Sequence, residues 1–463
     1  MHRVIIIGGG IAGLATAYEL HRQHVPFLLL EARPRAGGVI LSEHIDGYTI
    51  DAGPDALLIQ KPDGIKLCEE LGLGSRLVPT KPPRLAFIQR GGVLHPLPAS
   101  SVLGIPTRFG PFVGTRLFSW AGKIRMGAEM FVPRREDQSD ESIGAFMTRR
   151  FGAEATTFLA EPLLAGIHAG DVDRLSVRAL FPRFVEAERT HGSLLRAFRA
   201  QPTSQAPSDG VFRSLPGGLS ELIRALAATL PAMSIRLNAA VKRVMRRESF
   251  LVESSAGESL EAQAVVIAAP AYDTARIVAD FDRELSRLCG EIPYTSTATI
   301  ALAFARSAVA HGLNGSGFVV PRAEGTSILA ASWLSSKWPG RAPDDRVLLR
   351  AFAGGSRDPR ALERSDDELI RSSMDALRPL LGISGAPLLA RVYRWERASA
   401  QHEVGHLSQM AAIDAAVARH QGLFVTGSGF RGVGIPDCIA DGRATARQVA
   451  KLLATTPQPI LNS

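Results

Sequence analysis

The sequence predicts an α/β fold in which a Rossmann-like dinucleotide-binding domain is joined to a mixed-sheet domain and a helical domain. Three observations carry this reading. A β-branched run from Val4 to Ile7 leads straight into Gly8-Gly9-Gly10-Ile11-Ala12-Gly13. A helical repeat of Leu14, Ala17, Tyr18 and Leu20 follows, and a second apolar run, Phe27 to Leu30, ends in Glu31. A further strand, glycine-rich turn and helix lie near the far end, from Leu423 to Leu453.

In the first unit each glycine has a separate task. Gly8 permits the tight turn, Gly10 lets the backbone approach a pyrophosphate, and Gly13 lets helix and strand pack closely. The start of the helix turns its N–H groups toward the phosphates. Gly9, Ile11 and Ala12 complete that turn. Glu31, at the end of the second strand, stands where a carboxylate accepts ribose hydroxyls, and a carboxylate there disfavours a 2′-phosphate. A dinucleotide other than NADP is therefore expected.

Beyond Glu31 the chain reads Ala32-Arg33-Pro34-Arg35-Ala36-Gly37-Gly38-Val39 and, after a short alternating stretch, Asp51-Ala52-Gly53-Pro54-Asp55-Ala56. The residues from 201 to 210 are turn formers and small polar residues, which marks a loop or boundary. Leu215-Pro216-Gly217-Gly218-Leu219 then opens a helix carrying Leu222, Ile223 and Leu226 on one face. Strands are expected over 235–238, 241–244 and 264–267. The closing motif contains Ser428, Val433, Gly434 and Ile435 in its turn, and its helix again presents backbone N–H groups to a ligand.

Length and composition narrow the class. A chain of 463 residues is too long for one compact core, so two or three domains are expected. The apolar runs are too short to span a bilayer. Cys68, Cys289 and Cys438 are far apart in sequence, so neither a disulfide framework nor a paired-cysteine centre is expected. The chain enters a strand directly after Met1-His2-Arg3, so no secretory leader is expected and the cytoplasm is the expected compartment. Lys plus Arg exceeds Asp plus Glu by 53 − 45, a net charge of +8. No stacking or nucleic-acid motif accompanies the basic residues, so an anionic membrane or an acidic substrate is expected rather than nucleic acid. Residues 108 to 135 interleave Phe109, Phe112, Leu117, Phe118, Trp120, Ile124, Met126, Met130 and Phe131 with arginines and a lysine. Such a stretch is either an inward helix face with snorkelling cations or a surface for the inner face of a membrane.

One motif is discounted. His402-Glu403-Val404-Gly405-His406 matches the H-E-x-x-H zinc signature. That chemistry needs a stable helix and a third ligand. Gly405 weakens the helix and no downstream metzincin pattern follows, so no metal is expected.

Taken together, the two ends and the middle resemble the oxygen-dependent porphyrinogen oxidases, the protoporphyrinogen and coproporphyrinogen oxidase group of amine-oxidase-like flavoproteins. The resemblance runs over almost the whole chain. It implies FAD as cofactor, held by Gly8 to Gly13, Glu31, Ala32, Arg35, Gly37, Gly38, Val39, Gly53, Pro54, Asp55, Ala56, Val241, Ser428, Val433, Gly434 and Ile435. It implies a discontinuous two-dinucleotide-binding-domain architecture: 1–80, 211–285 and 400–463 for FAD, 81–98 and 286–399 for substrate, and a helical, membrane-facing 99–210.

The resemblance also implies a porphyrinogen as substrate and molecular oxygen as acceptor, with the flavin rather than a side chain performing the chemistry. Arg84 in Pro83-Arg84-Leu85-Ala86-Phe87 resembles a strand residue that meets a propionate. Gly170, in Ala165 to Gly170, resembles part of a turn beside the flavin, where a glycine would let a macrocycle approach. Trp338 resembles a bulky wall of the substrate channel. Protoporphyrinogen IX oxidation in haem biosynthesis is the first expectation and coproporphyrinogen III oxidation the alternative, since Arg84 serves either. A flavin amine oxidase and a non-catalytic prenyl-binding chaperone are the remaining alternatives, and the oligomeric state, homodimer included, stays open.

Overall fold

A computed structural model describes residues 2–97, 101–102, 105–106, 109–137, 139–200 and 209–455. Most of the loop expected over 201–210 lies outside these residues, as does Arg108.

The strand His2–Ile7 lies between two parallel neighbours, Phe27–Leu30 and Ser259–Ile267. Ile235–Arg236 extends the sheet beyond Phe27–Leu30, and Leu423–Val425 pairs in parallel with Ser259–Ile267. An antiparallel pair, Phe250–Ser254 and Val241–Arg246, completes seven strands. Strands separated by hundreds of residues therefore share one sheet. The strands expected in the middle of the chain are present with shifted ends.

Alternation explains why this sheet is buried on both faces. Val4 and Ile6, Leu29, and Ala264 and Val266 pack on one side with the helices Ile11–Arg22, Ser220–Ala228 and Ile435–Thr455. Ile5 and Ile7, Leu28 and Leu30, and Val265 and Ile267 pack on the other with Ala271–Val278, Arg283–Gly290 and His406–Ala418. Successive side chains on a strand point to opposite faces, so an unbroken apolar run supplies both layers. Each buried Ile, Leu or Val contributes about 1.5–3 kcal/mol relative to exposure.

A second seven-stranded sheet runs in the order Leu389–Ala400, Tyr294–Ala305, Arg346–Gly354, Ala330–Trp333, Gly317–Val319, Ala86–Arg90, Val93–Pro96. Its one parallel pairing joins Gly317–Val319 to Ala86–Arg90, so a hairpin from early in the chain completes a sheet built mainly after residue 293.

The third region is helical and includes Trp120–Gly127, Ile143–Phe151, Pro182–His191 and Leu194–Ala200. At its centre Glu129 and Arg150 form an ion pair in which both side chains are fully buried. Ser193 Oγ and the N–H groups of Leu194 and Leu195 donate to the Glu129 carboxylate, which therefore also terminates the helix Leu194–Ala200. Burial of both charges is tolerable because their remaining hydrogen-bonding sites are filled.

Candidate active site

The strands of the first sheet end on one side of the molecule, and the glycine turns meet there. Gly8 has φ +109°, and its N–H donates to the Leu30 carbonyl. A Cβ on Gly13 would overlap the Gly8 carbonyl, so helix and strand pack as closely as the sequence predicts. Gly37 N–H donates to Gly9 O at 2.8 Å, and a Cβ on Gly38 would lie 3.4 Å from Gly10 Cα. The two glycine elements are thus stacked. Arg35 stiffens the second by donating to the carbonyls of Gly38 (2.6 Å) and Ile40 (3.1 Å).

Glu31 is buried and already accepts from the N–H groups of Gly9 (2.6 Å) and Arg33 (2.8 Å). An ionised carboxylate has about four lone-pair sites, so capacity remains for hydroxyl donors. The segment leading to Val241 returns to the same place, with Asn238 N–H donating to Arg33 O and Ala239 N–H to Glu31 O. At the far end, Gly427 has φ +117° and a Cβ there would lie 3.8 Å from Ala12 Cβ. The closing turn, with Ser428, Val433 and Gly434, therefore lies beside the start of the first helix. The helix Ile435–Thr455 crosses that helix closely, since a Cβ on Gly442 would overlap the Ala12 carbonyl.

A Cβ on Gly10 meets nothing within 4 Å, whereas one on Gly8, Gly9 or Gly13 meets backbone or the Glu31 side chain. Open space at the head of a helix, with a second glycine turn above it, fits a pyrophosphate. FAD fits the residues present.

The Gly53-Pro54-Asp55 loop is anchored by charge. A Cβ on Gly53 would overlap the Val39 carbonyl. The Asp55 carboxylate lies 2.7 Å from Lys337 Nζ and 3.0 Å from Arg350 Nη2, and accepts from Trp338 Nε1 at 2.8 Å. Burial alone would raise its pKa, but the Lys337 ammonium and the Arg350 guanidinium outweigh burial and hold it below the usual carboxylate range. Arg350 also donates to the carbonyls of Asp51 (2.5 Å) and Gly53 (2.7 Å). Removing one member of such a cluster costs about 3–5 kcal/mol because it strands a buried charge.

Lys337 also borders a cavity of about 480 Å³, lined by Thr80, Arg84, Phe87, Leu163 and Phe318 among others. That size lies in the range of small-molecule sites. Arg84 is exposed and its Nε donates to Thr80 O at 3.0 Å.

Four of the expected site residues stand in settings that the sequence did not indicate. Arg84 lies ahead of the strand Ala86–Arg90 rather than within it. Trp338 is fully buried among Tyr48, Ile50, Leu334 and Leu348 and supports Asp55, while its neighbour Lys337 reaches the cavity. Gly170 is buried, and the room beside it is filled by Gln401 and Leu175 of the chain itself, so the close approach there is internal. Asp55 was expected at the cofactor, and its side chain turns to the ion cluster. Lys337 and Arg350 were not singled out in the sequence. A lysine in Ser-Ser-Lys-Trp and an arginine inside an apolar strand have no local signature, although a buried strand arginine demands a partner.

The two histidines of the H-E-x-x-H match do not share a helix face. His406 begins the helix His406–Ala418, and Gly405 before it has φ +94°. The rings are stacked, with centroids 3.8 Å apart and 10° between planes. His402 Nε2 lies 3.0 Å from Ser428 O and His406 Nε2 lies 2.9 Å from Phe430 O. A carbonyl only accepts, so both Nε2 atoms carry hydrogen and are not available as metal ligands. Among the described residues no cluster of three or more His, Cys, Asp or Glu is arranged to hold a metal. Burial, and then the neighbouring His406, push His402 down to about 3; burial also lowers His406.

Two sheets, stacked glycine turns and a cavity linked to the Gly53–Asp55 loop through Lys337 define the class: an FAD-dependent oxidase. The chain belongs to the flavin containing amine oxidoreductase family, whose model matches residues 11–450. It is 36% identical over 455 residues to coproporphyrinogen III oxidase of Bacillus subtilis (strain 168), covering 95% of this chain and 96% of that one. It is 28% identical over 478 residues to the chloroplastic protoporphyrinogen oxidase of Nicotiana tabacum, covering 97% of this chain and 86% of that one. A crystal structure of a candidate protoporphyrinogen oxidase from Exiguobacterium sp. 255-15 superposes with a TM-score of 0.87 at 31% identity, over 97% of this chain and 99% of the other.

Two outcomes are expected. Gly10→Val should leave the apoprotein folded, because its Cβ meets no protein atom, yet purify without flavin absorbance. A yellow Gly10→Val protein would refute the pyrophosphate position. The second concerns acid. The folded-state pKa values of His402 and His406 are depressed below about 6.5, the unfolded value. Below that pH the unfolded chain binds more protons, so the stability from this pair is complete above about 6.5 and is lost as pH falls toward 3. The thermal midpoint of the wild type should therefore fall between pH 6.5 and 4 more steeply than that of His402→Phe. Parallel slopes would rule this out.

Proposed function

We propose that the enzyme oxidises coproporphyrinogen III to coproporphyrin III, with oxygen as the final acceptor. The observation that carries this reading is the cavity wall that Arg84 and Lys337 share, with Lys337 also paired to Asp55. When bound, FAD supplies a two-electron acceptor that oxygen reoxidises with release of hydrogen peroxide, so repeated turnover dehydrogenates the macrocycle.

The side chains hold and shield the substrate. Phe87, Leu163, Phe318 and Val319 offer apolar surface to a flat ring and exclude water. Arg84 presents a planar fork suited to a propionate carboxylate. Lys337 is largely balanced by Asp55, but Asp55 is one anion between two cations, which leaves the wall positive. Hydroxyls of Thr80, Ser316 and Ser332 add polar capacity. Such a wall favours the porphyrinogen with propionates where the other carries vinyl groups. The name of the 36% identical Bacillus relative supports the same choice. Protoporphyrinogen IX, the first expectation from sequence, is the second reading, supported by the names of the tobacco and Exiguobacterium relatives.

We also propose contact with an anionic membrane surface through the helical region. Phe112, Leu117, Phe118 and Met126 face inward, whereas Trp120, Ile124 and Phe131 are 67%, 72% and 79% exposed. Lys123 Nζ lies 4.4 Å from the Trp120 ring centroid. Apolar side chains edged by cations suit a headgroup boundary. No helix among the described residues is long and apolar enough to cross a membrane.

With both porphyrinogens compared side by side, kcat/KM should be higher for coproporphyrinogen III. Arg84→Ala should lower it about ten- to hundredfold with unchanged flavin content, and Arg84→Lys should recover part of the loss. Normal turnover by Arg84→Ala would remove the carboxylate role, and flavin reduction by an amine with neither porphyrinogen oxidised would overturn the substrate class. Vesicles containing phosphatidylglycerol should sediment the wild type, and the triple variant Trp120→Ser, Ile124→Ser, Phe131→Ser should stay in the supernatant; equal partitioning would end the membrane proposal.

A further inference from the structure

The residues between the strand Leu389–Ala400 and the helix His406–Ala418 form a strap that touches both sides of the site. On one side Gln401 Nε2 donates to His168 O at 2.9 Å and to Thr295 Oγ1 at 3.1 Å. Gln401 Oε1 occupies the space beside Gly170. The strap therefore holds the Gly166–Gly170 turn of the helical region. Its backbone holds the segment that follows this turn, since Ser176 N–H donates to His402 O and Val404 N–H to Arg174 O, each at 2.9 Å. Gly405 N–H reaches Asp140 Oδ2 at 3.2 Å, and Glu403 pairs with Arg174 at 2.8 Å.

On the other side the strap meets the glycine-rich turn that opens at Gly427. His402 and His406 each donate an Nε2 hydrogen to a carbonyl of that turn, Ser428 and Phe430. Both rings are 4% exposed and stack on one another, so neither donor rotates independently. Fixing a carbonyl also fixes the N–H of the same planar peptide, which points the opposite way. The orientations of the Gly429 and Arg431 N–H groups are thereby set from the histidine side.

We propose that His402 and His406 are positioning residues. They clamp the closing glycine-rich turn of the nucleotide domain and, through Gln401, hold it in register with the Gly166–Gly170 turn. This rests on the reading that Ser428, Val433, Gly434 and Ile435 of that turn hold FAD. The sequence match to a zinc motif is thus accounted for by two hydrogen-bond donors at fixed separation.

The test compares side chains of similar reach that differ in the donor. His402→Gln keeps an N–H near the position of Nε2, and His402→Met does not. FAD release from each holoenzyme is followed by the rise in flavin fluorescence on dilution, together with the visible circular dichroism of the bound flavin. His402→Met should release FAD about tenfold faster than the wild type and His402→Gln within about threefold of it, because loss of the donor strands a buried carbonyl. Release from His402→Met at the wild-type rate, or equally fast from the Gln and Met variants, would overturn the proposal. Should either variant at 402 fail to fold, the same pair at His406, read against Phe430, decides it by the same criteria. A wild type that never carries flavin would instead refute the cofactor assignment on which the proposal rests.

Discussion

Everything in the site depends on strands from three distant parts of the chain running parallel in one sheet. His2–Ile7, Ser259–Ile267 and Leu423–Val425 end together, and each hands its last hydrogen bond to the next connection: Ala268 N–H to Ile7 O, Thr426 N–H to Ile267 O. Ligands of open parallel sheets bind beyond the carboxyl ends of the strands. Here that edge collects a turn at Gly8, a turn at Gly427 and a carboxylate at Glu31. Slippage of one strand by a residue would invert its two buried faces, so the double-sided core holds the register on which the turns rely.

The second sheet is joined to this edge by buried charge. Asp51 pairs with Arg341 at 2.9 Å with both side chains fully buried, and Asp55 pairs with Lys337 and Arg350. Buried ion pairs add little net stability relative to apolar packing, but they are directional. In this enzyme they connect the loop after the second strand pair, Asp51 to Asp55, with strands and turns some 300 residues later. The Asp51–Asp55 loop is therefore located by residues of the second sheet and the turn beside it. Lys337 lines the cavity and pairs with Asp55, so the cavity wall and this loop are linked.

The helical region is attached in a different way. Its contacts with the rest of the molecule include Gln401 and the strap around it, Glu161, which pairs with Arg357 at 2.6 Å, and Glu154, which pairs with Arg90 of the second sheet at 2.7 Å. Its own core is sealed around Glu129 and Arg150, leaving Trp120, Ile124 and Phe131 outward. Ile88 and Val319 of the second sheet pack into that core, so the region is tied to the sheet by apolar contact as well as by charge.

Much of the nucleotide unit was legible in the sequence because its signals are local. A short apolar run, glycines at set offsets, a helical repeat and a terminal acid are all contained between Val4 and Glu31, and backbone geometry demands those residue types wherever they occur. The family could be read from the same kind of short motif at the two ends. The sequence by itself could not show that Trp338 is a buried support, that the space at Gly170 is filled by Gln401, or that His402 and His406 hold carbonyls. Each of those roles is defined by a partner outside the local motif, from 24 residues away for His406 to 283 for Trp338, or by burial that no neighbouring residue signals. Local steric and hydrogen-bonding rules determined the cofactor turn; the roles of isolated polar side chains were decided only when the tertiary structure removed them from water and required each to find a partner.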